Sequence, residues 1–315
     1  MDSKPNSTAV KEFFLLGFQD LHISRFILFL AFVLVYVATI AGNVLIITLV
    51  MTTRQLHHPM YFFLSHLSWC DIVLTTTISP NTLYVIFKCG ATISVAGCII
   101  QLYIFGVSSV AECLLLTVMS YDRYLAICKP LQYYTTMNGR FCLWLVVCCW
   151  VLGCLLMLIV AVMISNLNFC GPNILDHFFC DYGPVVQLSC SDTSVLEILL
   201  LIIAAPETIV ELTFIISTYA CIILAILRIA STVGRQNAFS TCSSHLSVVC
   251  TYYGSLIAIY VSPSKGKSFN TKKMLSLLYI TMTPIFNPII YSMKSKEIRT
   301  AIRKIILKNK MIFLL

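Results

Sequence analysis

The feature that most constrains this chain is a run of 26 residues, from Phe26 to Met51, without a single charged side chain. As an α-helix this run would extend about 39 Å, which exceeds the roughly 30 Å hydrocarbon core of a bilayer. Of the 315 residues, 59% are hydrophobic and only 11% are charged, whereas soluble domains are about 25% charged. The sequence therefore predicts a membrane protein and argues strongly against a soluble enzyme.

Six further long apolar segments follow the first one. Helices are the only open-ended structures that satisfy every backbone polar group in lipid. We therefore predict the all-α class: a seven-transmembrane helix bundle with a short amphipathic cytoplasmic helix after the seventh span. The predicted spans are approximately 26–51, 60–87, 94–127, 141–164, 195–227, 238–261 and 274–293. Residues 1–25 then form an extracellular N-terminus, 26–293 the transmembrane domain and 294–315 a cytoplasmic tail.

The basic residues favour one orientation of this bundle in the plasma membrane. With the N-terminus outside, 13 of the 21 Lys and Arg residues lie on the inner side, as the positive-inside rule expects. The predicted last outer loop, 262–273, opposes this trend because it contains four lysines. Residues 1–25 lack a basic segment followed by an apolar stretch, so no cleaved signal peptide is expected. Asn6 begins an N-glycosylation sequon, which an extracellular N-terminus could use.

The segment 295–308 after the seventh span has helical periodicity. Its apolar and basic residues fall on opposite faces: Ile298, Ala301, Ile302 and Ile305 against Lys296, Arg299, Arg303 and Lys304. Such a helix suits the surface of an anionic inner leaflet, so membrane lipid is an expected partner. A solvated basic tail is the alternative.

Ionisable side chains inside the predicted spans mark candidate functional positions, because they are costly in lipid. Asp71 and Glu112 are the main pair, and Asn43, Ser109 and Asn287 add polar groups at similar depth. Two carboxylates in a low dielectric would share a proton or bind a cation such as sodium. A structural sodium ion is therefore one hypothesis, and a protonated, hydrogen-bonded knot between helices is the other. No other cofactor is expected.

Two motifs near the inner ends of the spans could support a conformational change. Asp122 can pair with Arg123 and leave the arginine poised between alternative partners. Asn287-Pro288, followed by Tyr291, predicts a kink in the seventh span, at which Asn287 can bond to freed backbone groups. An ordinary helix-end pair and a static kink are the structural alternatives.

Five of the fifteen cysteines fall on the predicted outer side: Cys89, Cys98, Cys170, Cys180 and Cys190. An odd number leaves at least one of them unpaired within the chain. The spacing alone does not select a connectivity.

Four motifs together resemble those of the odorant (olfactory) receptors, a family of rhodopsin-like G-protein-coupled receptors. The first is MSYDRYLAIC at 119–128, which resembles MAYDRYVAIC, and the second is HPMYFFLS at 58–65. The others are NAFSTCSSHL at 237–246, similar to KAFSTCxSHL, and PIFNPIIYS at 284–292, similar to PxxNPxIYS. The resemblance extends from the first span, where Gly42-Asn43 also fits, to the tail. The outer-loop sequence around 177–193 is similar to that of the tetrapod volatile-odorant group. Ser120 and Asn237 depart from the usual Ala and Lys.

The resemblance implies a receptor that a small volatile odorant activates. Its expected partner is a heterotrimeric, stimulatory olfactory-type G protein that raises cAMP, and no nucleic-acid partner is expected. The resemblance also implies the disulfides Cys98–Cys180 and Cys170–Cys190, which leaves Cys89 unpaired. It assigns activation and G-protein coupling to Asp122, Arg123, Tyr124, Tyr219, His245, Asn287, Pro288 and Tyr291, with Tyr219 as the partner of a released Arg123. The absence of the usual lysine at Asn237 puts in doubt any G-protein contact there.

The resemblance places the ligand in the outer half of the bundle, under the second outer loop. The expected contacts are Tyr103, Phe105, Gly106, Ser109 and Val110 on the third span, Tyr253, Leu256, Ile257 and Tyr260 on the sixth, and Leu277 and Ile280 on the seventh. Simple helix packing is the alternative for each aromatic residue. On the fifth span, Glu207 and Glu211 share a helix face. We predict that Glu207 faces the pocket and favours an amine or another hydrogen-bond donor, against the alternative of a protonated Glu bonded inside the bundle.

Two other classes of function compete with a receptor. A transporter or channel would explain Asp71 and Glu112, but it predicts a continuous polar path and usually internal repeats, which the sequence does not show. An enzyme is disfavoured because the sequence has no metal cluster, phosphate loop or nucleophile constellation that stands out.

Overall fold

The computed structural model describes residues 10–18, 24–170, 172–261 and 268–313. Within these ranges the helices, in chain order, are α1 (Ser24–Thr52), α2 (Pro59–Lys88), α3 (Val95–Cys128), α4 (Pro130–Thr136), α5 (Gly139–Ser165), α6 (Tyr182–Val186), α7 (Ser194–Leu227), α8 (Thr232–Val261), α9 (Ser268–Lys294) and α10 (Lys296–Phe313). The seven predicted spans correspond to α1, α2, α3, α5, α7, α8 and α9, and α10 is the predicted helix after the last span. The predicted fold class is confirmed, although α8 and α9 begin earlier than expected, at Thr232 and Ser268.

Five of the seven long helices are apolar enough along their described residues to cross a membrane by composition alone. The helix α2 does not reach this level because it contains more polar residues, and the continuous part of α8 whose side chains are described, 242–258, is too short to be scored as a span. In α2 the polar residues lie on the buried face, which includes Ser68, Asp71, Thr75, Ser79 and Thr82. Large apolar residues such as Trp69, Tyr84 and Phe87 are instead exposed on its outer face. This arrangement suits a helix whose outer face contacts lipid and whose polar face contacts its neighbours.

The helix α3 lies at the centre of the bundle, where it contacts α2, α5, α7 and α8. Its buried apolar side chains include Ala111, Leu115, Leu116 and Met119. Small residues allow the closest approaches in the bundle. A Cβ atom at Gly153 of α5 would lie 3.0 Å from the carbonyl oxygen of Val107, so a larger residue would push the two helices slightly apart.

A small sheet covers one end of the bundle, and the sequence did not predict it. Its strands are β1 (Glu12–Leu15), β2 (Ala91–Ser94) and β3 (Ile174–Leu175), in the order β2-β1-β3. The strand β1 pairs antiparallel with β2 and parallel with β3. The side chains of Phe13 and Leu15 in β1 are completely buried. We call this end of the molecule the sheet end, and the opposite end, where α10 lies, the α10 end.

The helix α10 packs its apolar face partly against the bundle. Ile298 and Ala301 are buried, whereas Ile306 and Leu307 are exposed. Tyr61 of α2 donates a hydrogen bond to Glu297 Oε2 at 3.1 Å, which anchors the start of α10. The buried residues argue against a fully solvated tail, and the exposed ones leave an apolar surface that a leaflet could cover.

Candidate functional site

The loop between α5 and α7 covers the sheet end of the bundle. Cys180 of this loop forms a disulfide with Cys98 of α3, and Cys170 forms one with Cys190, so the structure has both implied pairings. The backbone N–H of Cys180 also donates to Gln101 Oε1 at 3.0 Å. Cys89 has a free, exposed thiol. The loop is therefore fixed directly above the centre of the bundle.

A partly buried cluster connects this loop to α9 and to the segment that follows β1. Lys273 forms an ion pair with Asp176 and donates a hydrogen bond to the carbonyl oxygen of Gly17 at 3.2 Å. His177 stacks on Phe178, with ring centroids 4.6 Å apart. Burial lowers the pKa of the His177 imidazole below its usual value. Lys273 is one of the four lysines that opposed the charge trend, and its ion pair gives it a structural role; Lys265 and Lys267 lie outside the described residues.

Beneath the loop, three aromatic rings lead toward the middle of the bundle. The ring of Phe105 lies 5.6 Å from that of Phe179 and 6.4 Å from that of Tyr279. The hydroxyls of Ser109 and Tyr279 are 3.3 Å apart. The Tyr252 hydroxyl donates to the carbonyl oxygen of Ser109 at 3.2 Å. Side chains of α3, α8 and α9 are thereby joined at one level of the bundle.

We refer to the residues at this level as the central polar layer: Ser109, Cys113, Glu211, Tyr252, Tyr253 and Tyr279. The Cys113 thiol donates to the Tyr252 hydroxyl at 2.8 Å, and the Tyr253 hydroxyl donates to Glu211 Oε2 at 3.0 Å. Of its members, only Ser109 and Tyr253 were expected ligand contacts. The available signal was helical spacing: Tyr252 lies two turns after the motif residue His245, and Tyr279 lies two turns before Asn287.

The expected contacts on α3 divide between two faces of the helix. Phe105 and Ser109 face α9 through Tyr279. Gly106 instead packs against α5, where a Cβ atom would lie 2.2 Å from the terminal carbon of Met157. The hydroxyl of Tyr103 lies beside Cys154, which is also on α5. The structure therefore does not bring all of the expected α3 residues to one surface. Val110 is half-buried.

The expected contacts on α8 and α9 also differ in their surroundings. Leu277 and Ile280 are buried, and Leu256 packs partly buried against the core. Ile257 is 54% exposed. The side chain of Tyr260 and the residue Asn6 lie outside the described part of the structure.

The two glutamates of α7 have different environments. Glu211 is buried, and its Oε1 atom has no hydrogen-bond partner in the described residues. Glu207, one turn nearer the sheet end, is only half-buried. The sequence selected Glu207 as the ligand contact, whereas Glu211 is the one that the structure places in the central polar layer.

Three of the four residues predicted to hold a cation meet between α2, α3 and α9: Asp71, Glu112 and Asn287. Nδ2 of Asn287 donates to both Asp71 oxygens, at 3.1 and 2.9 Å, and lies 3.5 Å from Glu112 Oε1. Asp71 and Glu112 are completely buried. Glu112 Oε2 has no partner in the described ranges, and neither has Oδ1 of the buried Asn43. These oxygens suit a hard cation. Ser109 lies in the central polar layer instead.

The backbone carbonyl that is freed at the kink in α9 bonds to Asn43, not to the expected Asn287. Pro288 has no N–H, so the carbonyl of Pro284 lacks its helical donor. Nδ2 of Asn43 donates to this carbonyl oxygen at 3.0 Å. Asn287, which we expected to bond freed backbone groups, turns toward Asp71. Gly42 permits the approach of α1, because a Cβ atom there would lie 3.0 Å from the Pro288 ring.

The predicted switch residues form two separate pairs near the α10 end. Arg123 pairs with Asp122, whose Oδ1 also accepts a hydrogen bond from Tyr133 of α4 at 3.0 Å. The Tyr219 hydroxyl lies 2.7 Å from His245 Nδ1. The expected contact between Tyr219 and Arg123 is therefore not made in this conformation.

The remaining switch residues surround these pairs. Tyr124 is half-buried, with the Lys129 ammonium 5.8 Å from its ring centroid. Tyr291 is buried, and its hydroxyl has no partner among the described residues.

A groove of about 440 Å³ opens between α7 and α8, lined by Ile223, Ile226, Leu227, Thr232, Arg235, Gln236 and Phe239.

Comparison with known proteins identifies relatives over nearly the whole chain. The family model described as "Olfactory receptor" matches residues 32–309. Human olfactory receptor 11A1 is 46% identical over 297 residues, which cover 94% of each chain. Mouse olfactory receptor 5P55 is 44% identical over 303 residues, covering 96% of this chain and 98% of the relative. The crystal structure of squid rhodopsin superposes with a TM-score of 0.71 at 18% identity, over 87% of this chain and 78% of that one.

Proposed function

The chain belongs to the olfactory receptor family, and from this premise we propose how it signals. Members of this family are odorant-sensing G-protein-coupled receptors, not enzymes. A small volatile odorant binds in the sheet-end half of the bundle and shifts the helices, and a stimulatory olfactory-type G protein then raises cAMP. The sheet end faces the outside of the plasma membrane. The α10 end faces the cytoplasm, where α10 contacts lipid.

The helix α8 supplies the observation that supports this proposal most. The Tyr252 hydroxyl donates to Ser109 in the central polar layer. Seven residues earlier, about 10 Å along the helix axis, His245 contacts both Tyr219 of α7 and the Leu116 carbonyl oxygen of α3. A ligand that displaces α8 at Tyr252 would therefore also strain the contacts of His245.

Activation is a shift between two sets of hydrogen bonds. A ligand favours the conformation that it binds better. In that conformation His245 releases Tyr219, and Arg123 leaves Asp122 for Tyr219. Movement of α8 away from α7 would widen the groove lined by Ile226 and Arg235, which offers an apolar surface to the G protein.

A sodium ion at Asp71 and Glu112 would oppose this shift. The unpartnered Glu112 Oε2 and Asn43 Oδ1 atoms support the proposal, because buried polar atoms without partners are costly. Asn287 would help to hold the ion, and its position beside Pro288 connects the ion to the kink in α9.

The test is a cAMP assay in cells that express the chain with a stimulatory olfactory G protein. We expect a dose-dependent rise with at least one member of a broad panel of volatile odorants. The Arg123→Ala variant should reach the surface and give no rise. A silent wild-type receptor, despite surface labelling, would contradict the receptor proposal, and normal signalling by Arg123→Ala would contradict the switch.

A further inference from the structure

We infer that Glu211, held by Tyr253, is the polar recognition group of the ligand site and selects odorants with a hydroxyl or amino group. The inference rests on the proposed function, because it requires that odorants bind within the bundle. It replaces Glu207 by Glu211 as the glutamate that contacts the ligand.

The geometry of the Glu211 carboxyl leaves one oxygen available. Glu211 is 5% exposed, and its Oε2 accepts the hydroxyl hydrogen of Tyr253 at 3.0 Å. Its Oε1 is buried and has no hydrogen-bond partner in the portion of the chain that the structure describes. A buried oxygen without a partner destabilises the folded state, and a ligand N–H or O–H would satisfy it.

The neighbouring donors are already engaged. The Cys113 thiol lies beside the same carboxyl, but its single hydrogen is directed to the Tyr252 hydroxyl at 2.8 Å. The Tyr252 hydroxyl in turn donates to the carbonyl oxygen of Ser109. Reorienting either group toward Oε1 would break an existing hydrogen bond. A ligand can therefore satisfy Oε1 without disturbing the rest of the layer.

The packing around Glu211 suggests how a ligand reaches it. Contacts between α7 and α8 are sparse, whereas α8 packs closely on α9 and α7 on α3. An elongated odorant can occupy the interval between α7 and α8. Its donor group would meet Glu211, and its apolar part would extend toward the sheet end along Leu256, one turn beyond Tyr253 on α8.

Glu207 lacks the features that make Glu211 a recognition site. It is half-buried and shares its face of α7 with Glu211, one turn nearer the sheet end. A partly exposed carboxylate keeps much of its own solvation, so a ligand gains less from binding it. Glu207 can line the entry, but discrimination between donors and non-donors requires the buried oxygen of Glu211.

The test compares three linear probes of equal length: octanol, octylamine and heptyl methyl ether. The first two donate hydrogen bonds, and the ether only accepts them. We expect the wild-type receptor to respond at lower concentrations to a donor than to the ether in the cAMP assay. Glu211→Leu should raise the half-maximal concentration of the donors about tenfold or more and leave that of the ether nearly unchanged.

Two further variants separate recognition from folding. Glu211→Gln keeps an oxygen for Tyr253 but loses the negative charge, so its response to octylamine should fall more than its response to octanol. Glu197→Gln makes the same chemical change at an exposed position of α7 and should preserve the ranking of the probes. Surface labelling corrects every response for expression, and Glu211→Gln carries the test if Glu211→Leu does not reach the surface.

The outcomes distinguish this inference from the function on which it rests. Equal losses for the donors and the ether in the Glu211 variants would show a purely structural role and overturn the inference. A wild-type receptor that prefers the ether, or Glu211 variants with unchanged ranking, would overturn it while leaving the odorant receptor intact. A wild-type receptor silent to a broad odorant panel would overturn both.

Discussion

The hydroxyl of Tyr219 on α7 lies 2.7 Å from Nδ1 of His245 on α8, and the two rings stack with their centroids 5.8 Å apart. The other ring nitrogen of His245 lies 3.1 Å from the carbonyl oxygen of Leu116 on α3. Because a carbonyl only accepts, Nε2 carries the proton and Nδ1 accepts the hydroxyl hydrogen of Tyr219. One imidazole therefore joins three helices and holds the tyrosine to which Arg123 moves in the proposed activation.

Replacing His245 by Phe should raise basal signalling. Phe retains an aromatic ring for stacking but makes neither hydrogen bond. Tyr219 then keeps only the longer contact from its hydroxyl to the Cys242 carbonyl oxygen, at 3.4 Å, and should reach Arg123 more readily. Each lost bond is worth about 0.5–1.5 kcal/mol, which corresponds to a shift of roughly two- to tenfold in the conformational equilibrium. The measurement is ligand-free cAMP per receptor at the surface.

A second variant tests the direction of this effect. Tyr219→Phe loses the same bond to His245 but also the hydroxyl that would meet Arg123. It should therefore lower the maximal odorant response without raising the basal level. Basal signalling that is unchanged in His245→Phe, or equally raised in both variants, would contradict the proposed exchange of partners.

A contact from α4 should restrain Arg123 indirectly. Asp122 is completely buried and is held by Arg123 and by the Tyr133 hydroxyl at 3.0 Å. Tyr133→Phe removes one donor, so Asp122 holds Arg123 in a less fixed geometry. We expect basal cAMP to rise about twofold to fivefold, the effect of roughly 0.5–1 kcal/mol. Tyr134→Phe, which alters an exposed neighbour, is the matched control, and an equal rise in that variant would count against the role of Tyr133.

The sequence predicted the helices because long uncharged runs leave few alternatives in lipid. It did not predict the sheet, because β1 pairs with strands that are distant in the chain, and such pairing depends on the assembled bundle rather than on local propensity. The sequence of β1, EFFL at 12–15, is too short to show the alternation of polar and apolar residues that would mark a strand. The disulfides were implied by the family motifs, not by the spacing of the cysteines.

The site was predicted less completely than the fold. Helical spacing shows which residues share a face of a helix, but it does not show which other helix that face contacts. Glu207 and Glu211 share a face of α7, and only the depth and position of Tyr253 on another helix distinguish them. The residues Phe105 and Gly106 are adjacent in sequence, yet one faces α9 and the other α5. Similarly, the bond from Asn43 to the carbonyl freed by Pro288 depends on the close approach of α1 at Gly42.

Sodium should stabilise the receptor in a manner that depends on Asp71. If the ion binds at Asp71 and Glu112, replacing sodium by choline in the buffer removes a ligand of the resting state and lowers Tm. Detergent-purified receptor should show a higher Tm in sodium than in choline, whereas the Asp71→Asn variant should show no difference. Equal Tm values for the wild-type protein in both salts would favour the protonated polar knot.

The loop over the sheet end should make stability depend on pH through His177. Burial lowers the pKa of this imidazole; Lys273 lowers it further, while Asp181 and Asp176 act in the opposite direction. The unfolded chain, with a histidine pKa near 6.5, therefore binds more protons than the folded protein below that pH. It follows that this contribution to stability is complete above about pH 6.5 and is lost as the pH falls from there toward the folded-state pKa.

The corresponding measurement is Tm of the purified receptor between about pH 7.5 and pH 5.5. Wild-type Tm should fall toward the acidic end, because protonating the buried imidazole places a poorly solvated charge beneath the loop. His177→Phe preserves an aromatic ring in this position and has no titratable group, so its Tm should fall less over the same range. Nδ1 of His177 has no partner in the described residues, but the imidazole also interacts with the backbone of Phe179. The substitution loses that interaction at every pH, so the comparison rests on the change of Tm with pH. Parallel pH profiles for the two proteins would assign the acid sensitivity to other groups and contradict the role of His177.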